Sequence, residues 1–278
     1  MIDLSALPSL RESLEAHGLL ANKGLGQHFL LDLNITRKIA RLAGPLEGRT
    51  VLEIGPGPGG LTRALLEAGA RVVAVEKDAR FLPLLNMLRE ASGGQLEVHL
   101  ADALKVDEAV LSAGEPASVV SNLPYNVGTA LLIKWLTGPW RPQSMTLMFQ
   151  KEVAERIVAR PGDDAFGRLA LIAQVMCEAR IVMEAPARAF TPPPKVDSAV
   201  VRLDPRADPP EPSRVAAMEV ISQAAFGQRR KMLRSSLKAL GGADLCEAAG
   251  IDPTRRAETL SLDEFLRLAD ARLARSQP

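Results

Sequence analysis

Short apolar runs alternate with amphipathic segments over the first two-thirds of the chain. Five of these runs, each of about five residues, predict buried strands at 50–54, 71–75, 96–100, 117–120 and 145–149. Apolar residues at helical intervals predict helices at 5–20, 35–43, 61–68, 127–135 and 151–159. Asp32 is placed to cap the second of these helices. Strands that alternate with helices indicate an α/β fold with a parallel sheet.

The last third of the chain has a different pattern. Apolar runs at 181–183 and 199–203 predict an antiparallel pair that closes the sheet, and the four prolines of 204–212 indicate a linker. Four further helices are predicted at 215–225, 231–240, 245–249 and 262–274. We therefore expect a helical extension at 1–22, an α/β domain at 23–205 and a small all-helical domain at 213–278.

Composition narrows the class of protein without identifying it. The 278 residues are 47% hydrophobic and 24% charged, which is ordinary for a globular protein of about two domains. Cys177 and Cys246 lack metal-ligand or disulfide spacing, so we expect reduced thiols and no metal site. No apolar run approaches the ~20 residues of a membrane span. A cytoplasmic protein with no membrane association is the expectation.

The glycine-rich segment 55–60 carries the first chemical signal. It follows a predicted strand and precedes a predicted helix, which is the arrangement of a Rossmann-type nucleotide-binding unit. Gly55 and Gly57 let backbone N–H groups approach a ligand, and Glu76 lies about 20 residues further on, where an acid accepts hydrogen bonds from ribose hydroxyls. The segment predicts a nucleoside-containing cofactor, and a plain glycine turn is the alternative.

Three features favour S-adenosylmethionine over NAD, although the glycines also satisfy the G-x-G-x-x-G pattern of NAD sites. Glu53 precedes the loop in an E-x-G-x-G-x-G arrangement, and Pro56 and Pro58 stiffen it. Asp102 follows the third strand and is placed to accept from an adenine amino group. A helix cap is the alternative role for Asp102.

The segment Asn122-Leu123-Pro124-Tyr125 follows the fourth strand, at the sheet edge where α/β proteins bind ligands. Its chemistry suits a planar ring that carries an amino group. The Asn122 side chain and the Leu123 and Pro124 carbonyls are acceptors for the two amino hydrogens, and Tyr125 is able to stack on the ring. The alternative is an ordinary strand-to-helix turn.

Together these segments resemble the rRNA adenine dimethyltransferases. The resemblance covers the chain from about residue 22 onward and rests on seven features in order: Gly-Gln-His-Phe-Leu at 26–30, Glu-Ile-Gly-Pro-Gly at 53–57 with its continuation to Thr62, Glu76, Asp102, Asn-Leu-Pro-Tyr at 122–125, and two C-terminal segments. The latter are Phe190 to Ser198, similar to F-x-P-x-P-K-V-x-S, and Phe226 to Lys231, similar to F-x-x-R-R-K.

The resemblance implies a class I S-adenosylmethionine-dependent methyltransferase domain followed by a small all-helical, rRNA-binding domain. It implies that His28, Leu30, Gly55, Gly57, Glu76, Asp102 and Asn122 bind the cofactor, and that Asn122 to Tyr125 form the catalytic segment. Phe190 is then expected to stack on the opposite face of the base from Tyr125, and Arg229, Arg230 and Lys231 to contact rRNA phosphates. Position 28 is Asn in some family members.

The small-subunit branch of the family is the nearest in pattern, because the segments around Phe190 and Arg229 match it. Its substrate implies dimethylation of two adjacent adenosines near the 3′ end of 16S rRNA in the 30S particle, by a monomeric enzyme with a role in subunit biogenesis. Three alternatives stay open: an NAD-dependent oxidoreductase, a 23S rRNA adenine methylase, and a non-catalytic nucleic-acid-binding factor on the same fold.

Overall fold

The computed structural model describes Leu4, residues 6–19 and residues 28–276. Within these residues the strands are β1 (Phe29–Leu30), β2 (Thr50–Ile54), β3 (Arg71–Glu76), β4 (Leu96–Leu100), β5 (Ala117–Asn122), β6 (Met145–Gln150), β7 (Cys177–Ala185), β8 (Phe190–Thr191) and β9 (Ser198–Pro205). The helices are α1 (Leu10–Ala16), α2 (Leu33–Leu42), α3 (Gly60–Glu67), α4 (Leu82–Ala91), α5 (Glu108–Leu111), α6 (Gly128–Thr137), α7 (Lys151–Val158), α8 (Arg168–Met176), α9 (Pro212–Gly227), α10 (Leu233–Ser236), α11 (Gly242–Ala248) and α12 (Leu262–Ser276). Gly26 and Gln27, the first two residues of the motif at 26–30, lie outside the described residues.

A seven-stranded sheet carries the α/β part of the chain, in the order β4-β3-β2-β5-β6-β9-β7. Strands β2 to β6 pair in parallel, whereas β9 runs antiparallel to β6. The predicted strands at 50–54 and 96–100 are confirmed. Three others continue one or two residues further and end at Glu76, Asn122 and Gln150. The sheet extends in both directions from β2, so a ligand crevice is expected outside the carboxyl ends of β2 and β5.

Sequence pattern explains why the central strands are buried on both faces. Strand β2 is buried throughout and contributes Val51 to the main apolar cluster, which also contains Leu65 and Leu66 of α3 and Val72 of β3. A continuous apolar run is typical of a strand that is covered by helices on both sides. The glycine segment is therefore fixed between a buried strand and a buried helix.

Helix α1 is shorter than the predicted helix at 5–20. Pro8 precedes it, Ser9 caps it in a capping box with Glu12, and Gly18 follows its C-terminus with φ +63°. Asp32 caps α2 by accepting from the backbone N–H of Asn34, as predicted.

The predicted helix at 231–240 is wrong in its first part. Residue Met232 is extended, and the backbone N–H groups of Leu233 and Arg234 donate to the carbonyls of Arg255 and Pro253. Tertiary hydrogen bonds therefore replace helical ones at this point, and only the four residues of α10 are α-helical. Arg229, Arg230 and Lys231 lie in an exposed turn after α9 rather than on a helix face.

Two compact units divide the chain. One comprises Met1–Ala154 and Arg180–Asp204 and contains most of the sheet, and the other comprises Glu155–Ala179 and Pro205–Pro278 and is helical. In the helical unit, the ring of Phe226 stacks on that of Phe265 at a centroid distance of 5.5 Å and meets Phe166 edge-on at 5.9 Å. Across the part of the chain that the structure describes, no helix combines the length and apolarity needed to span a membrane.

Candidate active site

A cavity of about 980 Å³ lies at the carboxyl ends of β2, β3, β4 and β5. This is a volume typical of sites that bind small molecules and cofactors. The cavity is lined by residues that the sequence singled out, namely His28, Leu30, Gly55, Gly57, Glu76, Asp102, Asn122, Leu123, Pro124 and Tyr125. The parallel strands bring these residues, which span almost 100 positions of the sequence, to one edge of the sheet.

The glycine segment approaches its neighbours too closely for larger residues. Gly55, Gly57 and Gly59 have φ angles of +66°, +54° and +86°, a region that side chains disfavour. A Cβ on Gly60 would lie 2.7 Å from the carbonyl oxygen of Leu30, which is too close, whereas one on Gly57 would make an ordinary contact of 3.6 Å with the ring of Phe29. The loop is therefore shaped both by backbone conformation and by contact with β1.

Glu76 organises this loop through its carboxylate. One oxygen, Oε2, accepts from the backbone N–H of Gly57 at 3.0 Å, and Oε1 accepts from the N–H groups of Lys77 and Asp78 at 2.8 Å each. Burial raises the pKa of Glu76, while these hydrogen bonds oppose that rise. A carboxylate oxygen accepts about two hydrogen bonds, so Oε2, with Gly57 as its donor here, has capacity for another.

Asp102 lies at the cavity with both oxygens engaged. Its Oδ1 accepts from the backbone N–H of Leu104 at 3.1 Å, and its Oδ2 accepts from Lys77 Nζ at 2.9 Å. The hydrogen bond from Lys77 is the main reason that the pKa of Asp102 lies below its usual range. The alternative role as a helix cap is not met, because residues 103–105 form a turn and the next helix, α5, is capped by Asp107. The Lys77 side chain is 77% exposed, and such a surface pair is weak enough to yield to a ligand.

Glu53 lies beneath the loop and is only 2% exposed. Its Oε2 accepts from the Thr62 hydroxyl at 2.7 Å. Burial raises the pKa of Glu53 to about 8, the hydrogen bond from Thr62 opposes this, and the negative charge of Glu76 adds to it. Glu53 is therefore largely protonated at neutral pH. It supports the loop as a neutral acid rather than as an anion.

This protonation makes stability depend on pH in a defined direction. The folded pKa lies above the unfolded value of 4.5, so the unfolded chain releases its proton first and Glu53 costs stability as pH rises from about 4.5 to about 8. We expect E53Q, which mimics the neutral acid and keeps an acceptor for Thr62, to gain stability relative to the unmodified protein between pH 5 and pH 8. Urea unfolding at both pH values measures this gain, and equal differences at the two pH values would contradict it.

The segment from Asn122 to Tyr125 and the residue before it contact the glycine loop and the strand that leads into it. Ser121 donates to the carbonyl of Ile54 at 2.6 Å, and a Cβ on Gly55 would lie 3.2 Å from the Pro124 ring. The Pro124 carbonyl accepts from the N–H groups of Val127 and Gly128 at the start of α6. This carbonyl was one of two main-chain acceptors that the sequence suggested. Its two hydrogen bonds leave Leu123 as the better candidate.

Tyr125 is held at the cavity by side chains from distant parts of the chain. Its hydroxyl shares a hydrogen bond of 2.8 Å with Ser198, and its ring stacks on His28 at a centroid distance of 6.0 Å. His28 Nδ1 lies 2.8 Å from the carbonyl oxygen of Pro192, which only accepts, so Nδ1 carries a proton. Burial raises the pKa of Tyr125 and keeps its phenol neutral. The role of Ser198 was not predicted.

Phe190 is placed differently from the prediction that it stacks on the base. It pairs with Leu30 across the short β1–β8 sheet, and its side chain is 2% exposed within the main apolar cluster. Neither face of the ring is accessible to a base in this conformation, because the ring is buried among apolar side chains instead of lining the cavity. Arg229, Arg230 and Lys231 are exposed in the helical unit, where Arg229 donates to the carbonyl of Asp164.

These features are compatible with a nucleoside ligand. Glu76 and Asp102 bring carboxylate acceptors to the cavity, and the left-handed glycines of the loop line the same cavity. Asn122 and Tyr125 also line this cavity. Among the residues described, no three His, Cys, Asp or Glu side chains are grouped to hold a metal ion.

Comparison with known proteins gives a consistent result along most of the chain. A family model described as ribosomal RNA adenine dimethylase matches residues 18–272. The chain is 67% identical over 276 residues to the ribosomal RNA small subunit methyltransferase A of Phenylobacterium zucineum (strain HLK1), covering 99% of this chain and 96% of that protein. A protein of the same name from Caulobacter vibrioides is 72% identical over 254 residues, covering 91% and 98%.

Solved structures agree with this comparison. A dimethyladenosine transferase from Plasmodium falciparum superposes with a TM-score of 0.70 at 26% identity, covering 87% of this chain and 96% of that one. The 23S rRNA methyltransferase ErmE superposes with a TM-score of 0.66 at 29% identity, covering 87% and 98%. The predicted Rossmann-like methyltransferase fold with a helical C-terminal part is confirmed.

Proposed function

The chain belongs to the ribosomal RNA adenine dimethylase family, and from this premise we propose that it dimethylates N6 of two adjacent adenosines near the 3′ end of 16S rRNA. It is an enzyme that uses S-adenosylmethionine, so the NAD interpretation of the glycine loop is wrong. The observation that carries the proposal is the position of Asn122 and Tyr125 at the same cavity as Glu76 and Asp102.

The cofactor half of the site is formed by acceptors and backbone donors. Glu76, which also holds Gly57 in place, would accept from the ribose hydroxyls of the cofactor, and Asp102, which now accepts from Lys77, would accept from its adenine amino group. Gly55, His28 and Leu30 of β1 line the remaining wall. When bound, the cofactor supplies an activated methyl group on a sulfonium.

The target half of the site prepares the amino nitrogen for attack. An adenine amino nitrogen is a poor nucleophile because its lone pair is delocalised into the ring. The Asn122 side-chain oxygen and the Leu123 carbonyl each accept one amino hydrogen, which draws the nitrogen towards tetrahedral geometry and frees its lone pair. The protein therefore contributes mainly by orienting the amino group.

Tyr125 holds the base rather than transferring a proton. Its neutral phenol is engaged with Ser198, and its ring is available for stacking on an adenine that has left the RNA stack. No dedicated general base is required, because the amino proton becomes acidic once the nitrogen is alkylated. Phe190 is omitted from this proposed set because its ring is buried.

The basic turn of the helical unit is proposed to contact rRNA phosphates. Arg229, Arg230 and Lys231 are exposed, and Arg234 follows them on α10. Such contacts make binding decrease with salt, because phosphate neutralisation releases counterions. The proposed enzyme is a monomer that acts in the cytoplasm on the 30S subunit during its assembly. A 23S rRNA target is favoured less, because ErmE shares far less sequence than the small-subunit relatives.

The substrate assignment is tested with methyl-labelled S-adenosylmethionine and three acceptors: 30S subunits that lack the modification, 50S subunits, and naked 16S rRNA. We expect label in 30S subunits and little in the other two. Label confined to 50S subunits would contradict the 16S assignment. Preferential labelling of naked 16S rRNA would contradict the proposal that an assembled particle is recognised.

A further inference from the structure

The only tyrosine of the chain is held by a residue outside the catalytic segment. Ser198 is 0% exposed and lies 2.8 Å from the Tyr125 hydroxyl, measured between the two oxygens. Seventy-three positions separate the two residues, so this contact exists only because the fold creates it. The serine belongs to a segment that resembles a family motif, but the mechanism above gives it no role.

The position of Ser198 is itself well determined. It begins β9 and pairs with Gln150, the last residue of β6. Its neighbour Asp197 accepts from the backbone N–H of Lys151 through its carbonyl and from that of Ala187 through Oδ1. A hydroxyl fixed in this way gives the phenol oxygen a defined partner.

The ring of Tyr125 is also supported from one face by His28, which is bound to the Pro192 carbonyl. The two supports enter from the same 190–198 segment, one directly and one through His28. Because His28 covers one face of the ring and Ser198 is hydrogen-bonded to its hydroxyl, rotation of the Tyr125 side chain is restricted. The second face is then presented in one orientation.

We propose that Ser198 is a positioning residue that sets the orientation of the Tyr125 ring and so of the adenine that stacks on it. This inference rests on the proposed base-binding role of Tyr125. Loss of the Ser198 hydroxyl leaves the ring in place but free to tilt, which misaligns the amino nitrogen. The effect is expected in kcat, whereas the cofactor half of the site is unchanged.

A double-mutant cycle separates positioning from general support. We expect S198A to lower kcat about tenfold in the unmodified protein, with an unchanged KM for S-adenosylmethionine. In the Y125F background, adding S198A should lower kcat by less than twofold. An equal loss in both backgrounds, or no loss from S198A, would overturn the proposal. If S198A folds poorly, S198C keeps the volume and a weaker donor, and should fall between the unmodified protein and S198A.

A spectroscopic measurement is independent of activity. Because Tyr125 is the only tyrosine, ring-¹³C-labelled tyrosine gives one set of signals that needs no assignment. We expect S198A to shift these signals and to increase the rate of ring rotation. Unchanged signals would overturn the contact. Shifted signals in a protein whose unmodified form methylates no rRNA would retain the contact and instead reject the proposed function.

A separate observation concerns the N-terminal strap, by which we mean Leu4 and residues 6–19. Most of it precedes residue 18, where the family match begins. Leu14 is 4% exposed and packs in a cluster with Phe29, Phe81, Leu84 and Leu85. The Pro8 carbonyl accepts from Arg63 of α3 at 2.9 Å. Phe29 and Phe81 also line the cavity.

From these contacts we infer that the strap is part of the cofactor site, because Leu14 packs with Phe29 and Phe81, which line the cavity. The ring of Phe29 meets that of Phe81 edge-on at a centroid distance of 5.4 Å. Direct packing therefore connects α1 to the wall of the cavity. A sequence segment that the family pattern does not include therefore contributes to cofactor affinity.

Calorimetry with S-adenosylhomocysteine tests the strap. We expect L14A to weaken binding about 5- to 10-fold, whereas L245A, which removes an equally buried leucine of the helical unit, leaves affinity unchanged. If L14A does not fold, S9A removes the cap of α1 and should weaken binding about twofold. Equal affinities for L14A and L245A, or S9A without effect, would overturn the inference.

Discussion

Replacing Asn122 by alanine is expected to reduce methyl transfer about 1,000-fold while rRNA binding is retained. The side-chain oxygen of Asn122 is one of two proposed acceptors for the amino hydrogens, and alanine offers none. Asn122 ends β5 and lines the cavity, so its loss leaves the sheet and the glycine loop intact. Single-turnover rates and filter binding to rRNA measure the two quantities separately.

Two further variants control this prediction. N122D retains acceptor oxygens and should lose less activity than N122A, because the amino group still has a partner. N86A changes an asparagine on α4, outside the cavity lining, and should retain activity within about twofold. Near-normal turnover by N122A would contradict the proposed mechanism.

Removing the carboxylate of Glu76 is expected to weaken S-adenosylhomocysteine binding about 10- to 100-fold, the range for loss of a charged hydrogen bond of about 1.5–3 kcal/mol. E76A removes a ribose acceptor and also releases the N–H of Gly57. E76Q should lose almost as much, because an amide group must turn its NH2 towards either Gly57 or the N–H groups of Lys77 and Asp78.

A matched control for Glu76 lies on the adjacent strand. Glu97 of β4 is 64% exposed in its side chain, and its Oε1 lies 2.8 Å from Nε2 of the half-buried His99. E97A should therefore leave affinity and stability almost unchanged. Binding by E76Q that equals binding by the unmodified protein would contradict the role of Glu76.

The position of the proposed cofactor residues at one cavity could be predicted because local sequence determines it. A buried strand, a glycine turn and a helix follow each other directly, Glu76 ends β3, and Asp102 closely follows β4. Parallel pairing then brings these ends together without further information. The pattern that predicts the strands therefore also predicts which edge carries Gly55 and Asn122.

Other parts depended on contacts between distant segments. The sequence suggested the Pro124 carbonyl as an acceptor for the base, but this carbonyl accepts from N–H groups at the start of α6. Phe190 was expected to stack on the base, but it pairs with Leu30. A sequence motif does not show which backbone N–H groups will donate to a carbonyl, nor whether an aromatic ring will be buried in the core. Ser198 stood within the predicted pattern, but only the antiparallel pairing of β9 with β6 brings it to Tyr125.

The helical unit shows the same dependence. Residues 231–240 have helical periodicity, but the backbone N–H groups of Leu233 and Arg234 donate to the carbonyls of Arg255 and Pro253 instead. Residues 155–179 were predicted as part of the α/β domain, and they cluster with the C-terminal helices. Their place in the sequence suggested that these residues belong to the α/β domain, whereas their tertiary contacts assign them to the helical unit. The functional domain limits of 23–205 and 213–278 stay predictions.

The central claim is that the cavity methylates an adenine amino group twice, at two neighbouring positions of one RNA. The most direct measurement is mass spectrometry of nuclease-digested 16S rRNA after reaction of unmodified 30S subunits with S-adenosylmethionine. We expect N6,N6-dimethyladenosine at two adjacent positions near the 3′ end with the unmodified protein, and none with N122A. Methylation at another atom or site, or equal product from N122A, would contradict the account.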